Sequence, residues 1–282
     1  MGKFDGILII SDVDGTYYGL DHRRIPGNDE AVRYFQSEGG LFTFATGRME
    51  RNMATAVPNV AELVNFPVLL NNGSTLYDFR TREILRSCFM ESETVAPVVA
   101  YALEMFPNVG IRATVPGGFL YPRDHPLLSR DLGYLADCSW KKPLSEWDFS
   151  RINKVVFRGA AKDLLVMQKA IIDRFSDRLA TILSEAEILE VQRKDVNKGS
   201  AINLLRQELF ESYGVKWIFC IGDYENDLEM LCAADFAACP QNAIDSVKEV
   251  ASIHLCDCKD GAVADLINYI EAHPELCSPS SL

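Results

Sequence analysis

Ile7-Leu8-Ile9-Ile10-Ser11-Asp12-Val13-Asp14-Gly15-Thr16 is the stretch of sequence that decides the fold. Its four leading aliphatic residues are typical of a strand that is buried on both faces of a parallel sheet. The run ends at two aspartates and a glycine. Open α/β sheets bind their ligands at the carboxyl ends of the strands, so chemistry is expected at this position.

One residue separates the two aspartates of this stretch. Strand periodicity therefore places the Asp12 and Asp14 carboxylates on one side and the Val13 side chain on the other. Two carboxylates this close repel each other unless a cation or a proton lies between them. The alternative is structural, because Asp-Gly is a common turn pair and the strand could end in an Asx turn.

Three later segments have a similar organisation, with polar side chains at the end of a predicted strand or the start of a predicted helix. They are, in order, Phe42–Arg48, Asp195–Gly199 and Phe219–Asp227. The chain thus presents an acid pair, a hydroxyl group, a lysine and a second acid pair. This order resembles the haloacid dehalogenase superfamily of phosphohydrolases. The matches are Asp12–Thr16 to its D-x-D-G-T motif, Thr46 to its Ser/Thr motif, Lys198 to its lysine, and Asp223–Asp227 to its G-D-x-x-N-D motif.

The resemblance implies two catalytic carboxylates and a Mg²⁺ site. Asp12 would be the nucleophile that forms an aspartyl-phosphate, and Asp14 the general acid and then the general base. Asp12 and Asp223 would hold Mg²⁺ together with the Val13 carbonyl, and Asp14 and Asp227 complete the candidate metal set. Asp227 could instead orient the lysine or cap the following helix.

The remaining candidate residues would bind the phosphoryl group or line the cleft. The phosphate-binding set is Thr46, Gly47 and Lys198, and the substrate or cleft set is Arg48, Gly73 and Asn226. Structural alternatives stay open for these positions: a helix cap for the threonine, a solvated lysine, and a simple turn at Asn72-Gly73. Arg112, Arg123 and Arg193 could set specificity, although a surface role is favoured for them, and Asn242 is predicted to be a helix N-cap.

Strand and helix patterns predict an α/β protein, with a Rossmann-like, doubly wound parallel sheet as its core and an inserted α+β domain. We expect the core to comprise residues 1–82 and 189–282, with Ile188–Val191 returning the chain to it. Residues 83–188 form the expected insertion. By resemblance this insertion is a C2-type cap of the Cof-like branch, which helps to choose the substrate. Within the core, Asn28 is expected to cap a helix that extends to Glu38.

Composition and charge restrict the classes of partner. The 282 residues carry a formal charge of -12, which disfavours nucleic acid and anionic membranes as partners. Eight cysteines and four scattered histidines form no metal motif, so reduced thiols are expected. No apolar run approaches a membrane span and no signal peptide is recognised, which predicts a cytoplasmic protein, either a monomer or a weak homo-oligomer.

The leading hypothesis is a Mg²⁺-dependent phosphatase that acts on small soluble phosphate monoesters such as sugar phosphates. One alternative is a sugar phosphomutase, which would need a bisphosphate activator and a cleft that keeps water from the aspartyl-phosphate. Another is a catalytically silent protein that binds a phosphate ligand on the same fold. A catalytically silent protein would be expected to have lost motif residues, whereas all of them are present here.

Overall fold

The computed structural model describes residues 2–21, 23–129, 132, 135–175 and 177–277. The chain divides into two compact units. The first unit comprises Met1–Gly47, Ala56–Leu85 and Asn197–Leu282, and the second comprises Arg48–Thr55 and Arg86–Val196.

The bounds of the elements follow in chain order. The strands are β1 Ile7–Ser11, β2 Leu41–Phe44, β3 Val68–Leu70, β4 Thr75–Asp78, β5 Glu83–Ser87, β6 Gly110–Val115, β7 Gly118–Tyr121, β8 Ser139–Lys141, β9 Lys154–Arg158, β10 Leu179–Glu185, β11 Ile188–Arg193, β12 Trp217–Ile221, β13 Phe236–Cys239 and β14 Ile253–His254. The helices are α1 Pro26–Ser37, α2 Glu50–Ala56, α3 Val60–Leu63, α4 Ser92–Met105, α5 Ala161–Phe175, α6 Lys198–Glu208, α7 Phe210–Tyr213, α8 Leu228–Ala233, α9 Asp245–Val250 and α10 Ala262–Ala272.

The first unit is built on a parallel sheet with the strand order β14-β13-β12-β1-β2. All five residues of β1 are buried, which explains its unbroken aliphatic run. Leu8 and Ile10 pack in one cluster with Ile202 of α6 and Met230 of α8, while α1 packs against α10. The predicted α/β class with a parallel sheet core is confirmed.

The second unit contains a mixed sheet with the strand order β10-β11-β9-β6-β7-β8, in which only the described β7–β8 pair is parallel. Helices α4 and α5 cover it, and Val99, Phe157 and Leu164 are completely buried in their shared core. This unit has the α+β character expected of the insertion, but it also includes Arg48–Thr55, which was expected in the core, and it starts at Arg86 rather than at residue 83.

The expected return of the chain to the core at residue 189 is wrong. Strand β11 lies between β10 and β9 in the sheet of the second unit. Leu189 and Val191 are completely buried in the core of that unit, where they pack with its helices. An apolar run of this length fits either sheet, and the antiparallel pairing with β10 decides between them. The second unit therefore extends to Val196.

The helix that was expected to begin at Asn28 begins at Pro26. Proline suits this first turn because its missing N–H would have no partner in the helix. Asn28 is consequently inside the helix, and its side chain makes no cap. A three-stranded sheet, β3-β4-β5, was not predicted, since its last two strands have no strong apolar pattern.

Two further features concern compartment and membrane. All eight cysteines are free thiols. Among the described residues, no helix combines the length and the apolar character that crossing a membrane requires.

Candidate active site

The loop that follows β1 carries the first acid pair and is tightly folded. The Asp12 N–H donates to the Ile221 carbonyl at 2.9 Å, which extends the pairing of β1 with β12. The loop then turns back, because Tyr18 N–H donates to the Val13 carbonyl at 2.8 Å and Gly15 N–H to the Tyr18 carbonyl at 3.0 Å. Asp12 is buried, whereas Asp14 is half-buried.

Lys198 connects the acids of two motifs. Its Nζ atom lies 2.6 Å from Oδ1 of Asp12 and 2.6 Å from Oδ1 of Asp227, and its side chain is completely buried. The lysine is the first residue of α6. The preceding Asn197 caps this helix, since its side chain accepts the Ser200 N–H at 2.7 Å while the Ser200 hydroxyl accepts the Asn197 N–H.

Asp227 uses both carboxylate oxygens inside the protein. Oδ1 accepts from Lys198, and Oδ2 accepts the N–H groups of Asp223 at 3.0 Å and Tyr224 at 3.1 Å. Its side chain makes no cap bond to α8. Of the three roles predicted for Asp227, these bonds favour orienting the lysine.

Asp223 is held by the loop after β1. The Thr16 hydroxyl donates to its Oδ1 at 2.8 Å. Gly15 adopts a φ of +82°, and a Cβ at that position would lie 2.4 Å from Oδ2 of Asp223. Only glycine therefore lets the loop approach this carboxylate so closely. Sequence reasoning gave no role to Thr16, although it stands within the first motif.

The electrostatics of the site show an excess of negative charge. Burial, then repulsion from Asp227, raises the pKa of Asp223 to about 7. Burial also raises the pKa of Asp12 well above its usual range, and the neighbouring Lys198 offsets only part of this effect. Burial alone would lower the pKa of Lys198, but the two carboxylates beside it outweigh burial and raise it. The two carboxylates therefore favour the charged ammonium form of Lys198.

A divalent cation fits this cluster. Asp12, Asp223 and Asp227 offer carboxylate oxygens that all lie within 4.8 Å of one another. Asp12 and Asp223 each use one oxygen in a described hydrogen bond and offer the other. Hard oxygen donors of this kind are the ligands that Mg²⁺ prefers. Asp14, the fourth predicted metal residue, lies outside the cluster.

The comparison with known proteins gives the family. A sequence profile of the haloacid dehalogenase-like hydrolases matches residues 9–267. The chain belongs to this hydrolase family. It is 28% identical over 254 residues to HMP-PP phosphatase of Serratia proteamaculans, with 86% of each chain covered. It is 25% identical over 289 residues to 5-amino-6-(5-phospho-D-ribitylamino)uracil phosphatase of Bacillus subtilis, with 93% of this chain and 97% of that protein covered.

Solved structures of haloacid dehalogenase-like hydrolases have the same fold. One from Bacteroides thetaiotaomicron matches with a TM-score of 0.80 at 20% identity, over 95% of this chain and 99% of that one. A sugar phosphatase of subclass IIB matches with a TM-score of 0.77 at 16% identity, over 93% of this chain and 98% of that one. The family and these relatives support a phosphoric monoester hydrolase.

The predicted phosphate-binding threonine of this hydrolase follows β2 and is buried. Its backbone is fixed on both sides, because Thr46 N–H donates to the Leu69 carbonyl and Asn72 N–H donates to the Thr46 carbonyl, each at 2.9 Å. Asn71 and Asn72 both have positive φ, at 51° and 54°. Gly73 follows with a φ of +91°, and a Cβ there would lie 2.4 Å from the Asn197 carbonyl oxygen. The turn thus connects the threonine to the residue before Lys198.

The predicted substrate residues have varied surroundings. Asn226 is half-buried in the short turn Glu225–Asp227, and Gly47 is half-buried after the threonine. Arg48 belongs to the second unit, where its guanidinium contacts Asn52. Other guanidinium groups also have partners within that unit: Arg112 stacks on Phe119, Arg123 donates to three carbonyls, and Arg193 pairs with Asp195.

The prediction that Asn242 is a helix N-cap is wrong. The nearest helix, α9, begins at Asp245 after Ile244. Asn242 donates instead from Nδ2 to the Gly15 carbonyl at 2.8 Å, and its Oδ1 accepts the Cys258 N–H at 3.0 Å. No local pattern indicated this contact, which joins positions far apart in the sequence.

Proposed function

We propose that the protein is a Mg²⁺-dependent phosphatase that hydrolyses small phosphate monoesters through a phosphoryl-Asp12 intermediate. The observation that carries this proposal is the buried ammonium group of Lys198, shared between Asp12 and Asp227 at the carboxyl end of a parallel sheet. Attack on a phosphate ester requires a fixed nucleophile and positive charge near the phosphoryl oxygens, and this arrangement offers both.

Asp12 would attack phosphorus and take the phosphoryl group from the leaving alkoxide. The carboxylate must be ionised to do so, yet burial raises the pKa of Asp12. Lys198 supplies one positive charge beside it. Mg²⁺, held by Asp12 and Asp223 near Asp227, would supply the further charge that keeps the nucleophile ionised and neutralises the phosphoryl oxygens.

Asp14 would transfer the protons of both chemical steps. It is half-buried, so its carboxylate is accessible to water. As a general acid it would protonate the leaving oxygen, and as a general base it would then activate the water that hydrolyses the aspartyl-phosphate. Thr46, Gly47 and Lys198 would bind the phosphoryl oxygens, and Asn226 would contact the substrate.

The substrate class is proposed from the relatives and the inserted domain. Two similar phosphatases are named for different phosphate compounds. One is named for HMP-PP and the other for 5-amino-6-(5-phospho-D-ribitylamino)uracil. A sugar phosphatase shares the fold. We therefore propose a small phosphate ester, with the second unit acting as a C2-type cap that selects the leaving group.

The compartment is part of the same proposal. Eight free thiols support a reducing environment, so we propose a cytoplasmic location. We further propose that the enzyme acts as a monomer or a weak homo-oligomer, and that neither nucleic acid nor membrane is a partner, as its net negative charge suggests.

The test is phosphate release from a panel of esters that includes sugar phosphates, 5-amino-6-(5-phospho-D-ribitylamino)uracil and HMP-PP. We expect release in Mg²⁺, none in EDTA, and none from Asp12→Asn. Asp173→Asn, which changes an exposed carboxylate on α5, is the matched control and should keep wild-type rates. Release that persists in EDTA would contradict the metal role, and transfer of phosphate to a second sugar position would favour the mutase.

A further inference from the structure

Asn242, which has no role in the proposed mechanism, bridges the loop after β1 and the segment that precedes α10. Its amide donates to the Gly15 carbonyl at 2.8 Å and accepts the Cys258 N–H at 3.0 Å. The two bonds fix which way the amide points, because a flipped amide would place N–H against N–H and oxygen against oxygen. The side chain therefore holds the loop after β1 in one position against the segment that precedes α10.

The residue that Asn242 holds is central to the site. Gly15 follows Asp14, precedes Thr16, and lies against Asp223. Its N–H is also bound, to the Tyr18 carbonyl at 3.0 Å, so both backbone groups of the glycine are satisfied. A shift of Gly15 would move the Asp14 carboxylate and the Thr16 hydroxyl together.

A second asparagine repeats the arrangement two residues further along the loop. Asn28 donates from Nδ2 to the Tyr17 carbonyl at 2.7 Å, and its Oδ1 accepts the Ala264 N–H at 3.0 Å. The two asparagines therefore join two carbonyls of one loop, those of Gly15 and Tyr17, to two N–H groups of the segment Cys258–Ala264. Two neutral amides achieve this without adding charge to a site that already has too many carboxylates.

We propose that Asn242 is a positioning residue for phosphoryl transfer, which fixes Gly15 so that Asp14 and the Thr16–Asp223 pair stay in reacting geometry. The inference rests on the proposed function, whose nucleophile and metal it presupposes. Asn242 touches neither substrate nor metal in this account. Its loss should therefore reduce turnover and metal affinity, while binding of the ester changes little.

The test compares Asn242→Ala with Asn65→Ala. Asn65 makes the same two kinds of bond, since its Oδ1 accepts the Phe42 N–H at 2.8 Å and its Nδ2 donates to the Gly40 carbonyl at 3.0 Å. This control bridge lies at the start of β2, at the opposite end of the strand from Thr46. Both variants should lose similar thermal stability. Only Asn242→Ala should lower kcat, by about tenfold or more, with KM within about threefold.

Asn242→Asp serves as a second variant if the alanine protein does not fold. It keeps the shape and the bond from Cys258, but its carboxylate cannot donate to the Gly15 carbonyl. We expect the same fall in kcat and an Mg²⁺ half-saturation, measured by thermal shift, that is raised by about threefold or more. Turnover within twofold of wild type in the folded variant would overturn the proposal. Wild-type protein that releases no phosphate would instead refute the proposed function, and the Mg²⁺ shift would still test the positioning role.

Discussion

Lys198 and Asp12 stand 186 residues apart in the sequence, yet their Nζ and Oδ1 atoms are 2.6 Å apart. The lysine side chain has no exposed surface and the aspartate side chain is 9% exposed. Fully buried charges are tolerated when they are paired, and here one ammonium group serves two carboxylates. The parallel sheet explains the encounter, because β1 and β12 end side by side and α6 begins beside them.

Lys198→Ala should reduce both stability and turnover. Two buried carboxylates would lose their counter-charge, so the free energy of unfolding should fall by about 3 kcal/mol, measured by denaturant titration. Phosphate release should fall by ~100-fold or more, because the nucleophile and the phosphoryl oxygens lose the same cation. A Lys198→Ala protein that is folded and fully active would contradict the role of Lys198 in phosphoryl transfer.

Lys154→Ala is the matched control for the lysine variant. Lys154 is also buried and ion-paired, with its Nζ atom 2.8 and 2.9 Å from the two carboxylate oxygens of Glu190, but it belongs to the second unit. Its replacement should also be destabilising, whereas kcat should remain within about threefold of wild type, since no catalytic group loses a partner. Equal kinetic effects from both lysines would point to general loss of structure.

Asp14→Asn should slow the reaction in a way that depends on the leaving group. General acid catalysis typically contributes ~100-fold, so alkyl phosphates should react at least that much more slowly. The phenolate of an acidic phenol can leave without a proton, so the first step should slow much less for such esters. Single-turnover rates of leaving-group release from an alkyl phosphate and from p-nitrophenyl phosphate isolate this first step, and equal loss for both would argue against an acid role.

Asp223 should make stability depend on pH in the metal-free protein. Burial and Asp227 raise its pKa from 3.8 to about 7 in the folded state, so the folded chain binds more protons than the unfolded chain between these values. The free energy of unfolding should therefore fall as the pH rises through this window. Thermal melting in EDTA measures this slope, which Asp223→Asn should flatten.

Mg²⁺ should oppose this pH effect. The metal binds the ionised carboxylate and competes with the proton, so the rise in melting temperature that it causes should grow between pH 5 and about 7. A metal-induced shift that is the same at both pH values would show that Asp223 does not bind the ion.

Gly73→Ala should disturb the site through the backbone. A Cβ would meet the Asn197 carbonyl oxygen at 2.4 Å, and the positive φ adds its own cost. Gly214→Ala is the control, because Gly214 has a φ of +68° with open space around it and should lose only about 1 kcal/mol. Gly73→Ala should lose more and should weaken inhibition by inorganic phosphate, since Asn197 caps the helix that begins with Lys198. Equal effects of the two alanines would contradict this reading.

Patterns in the sequence predicted the parts of the fold that local chemistry controls. The aliphatic run Ile7–Ile10 lies in β1 as predicted, because an apolar strand carries its own signal. The parallel core and the grouping of acids at strand ends also follow from such signals. Strand β11 was assigned to the wrong unit, since its buried residues suit either sheet and only pairing with β10 decides.

Long-range hydrogen bonds account for the remaining errors at the site. Asn28 and Asn242 both stand near helix starts, where asparagine is a common N-cap residue, and both were predicted to be N-caps. Their partners, Ala264 and Gly15, are 236 and 227 residues distant, so no local pattern could indicate them. Thr16 likewise acquires its role only when β12 brings Asp223 beside it.

The proposed phosphoryl-Asp12 intermediate can be sought directly on the protein. Asp14→Asn protein, in which hydrolysis of the intermediate should be slow, is mixed with Mg²⁺ and an aryl phosphate, quenched in acid and examined by peptide mass spectrometry. We expect one phosphoryl group on the peptide that contains Asp12, and none in Asp12→Asn protein. Ester turnover with an unmodified Asp12 peptide, or the label on another residue, would contradict the proposed intermediate.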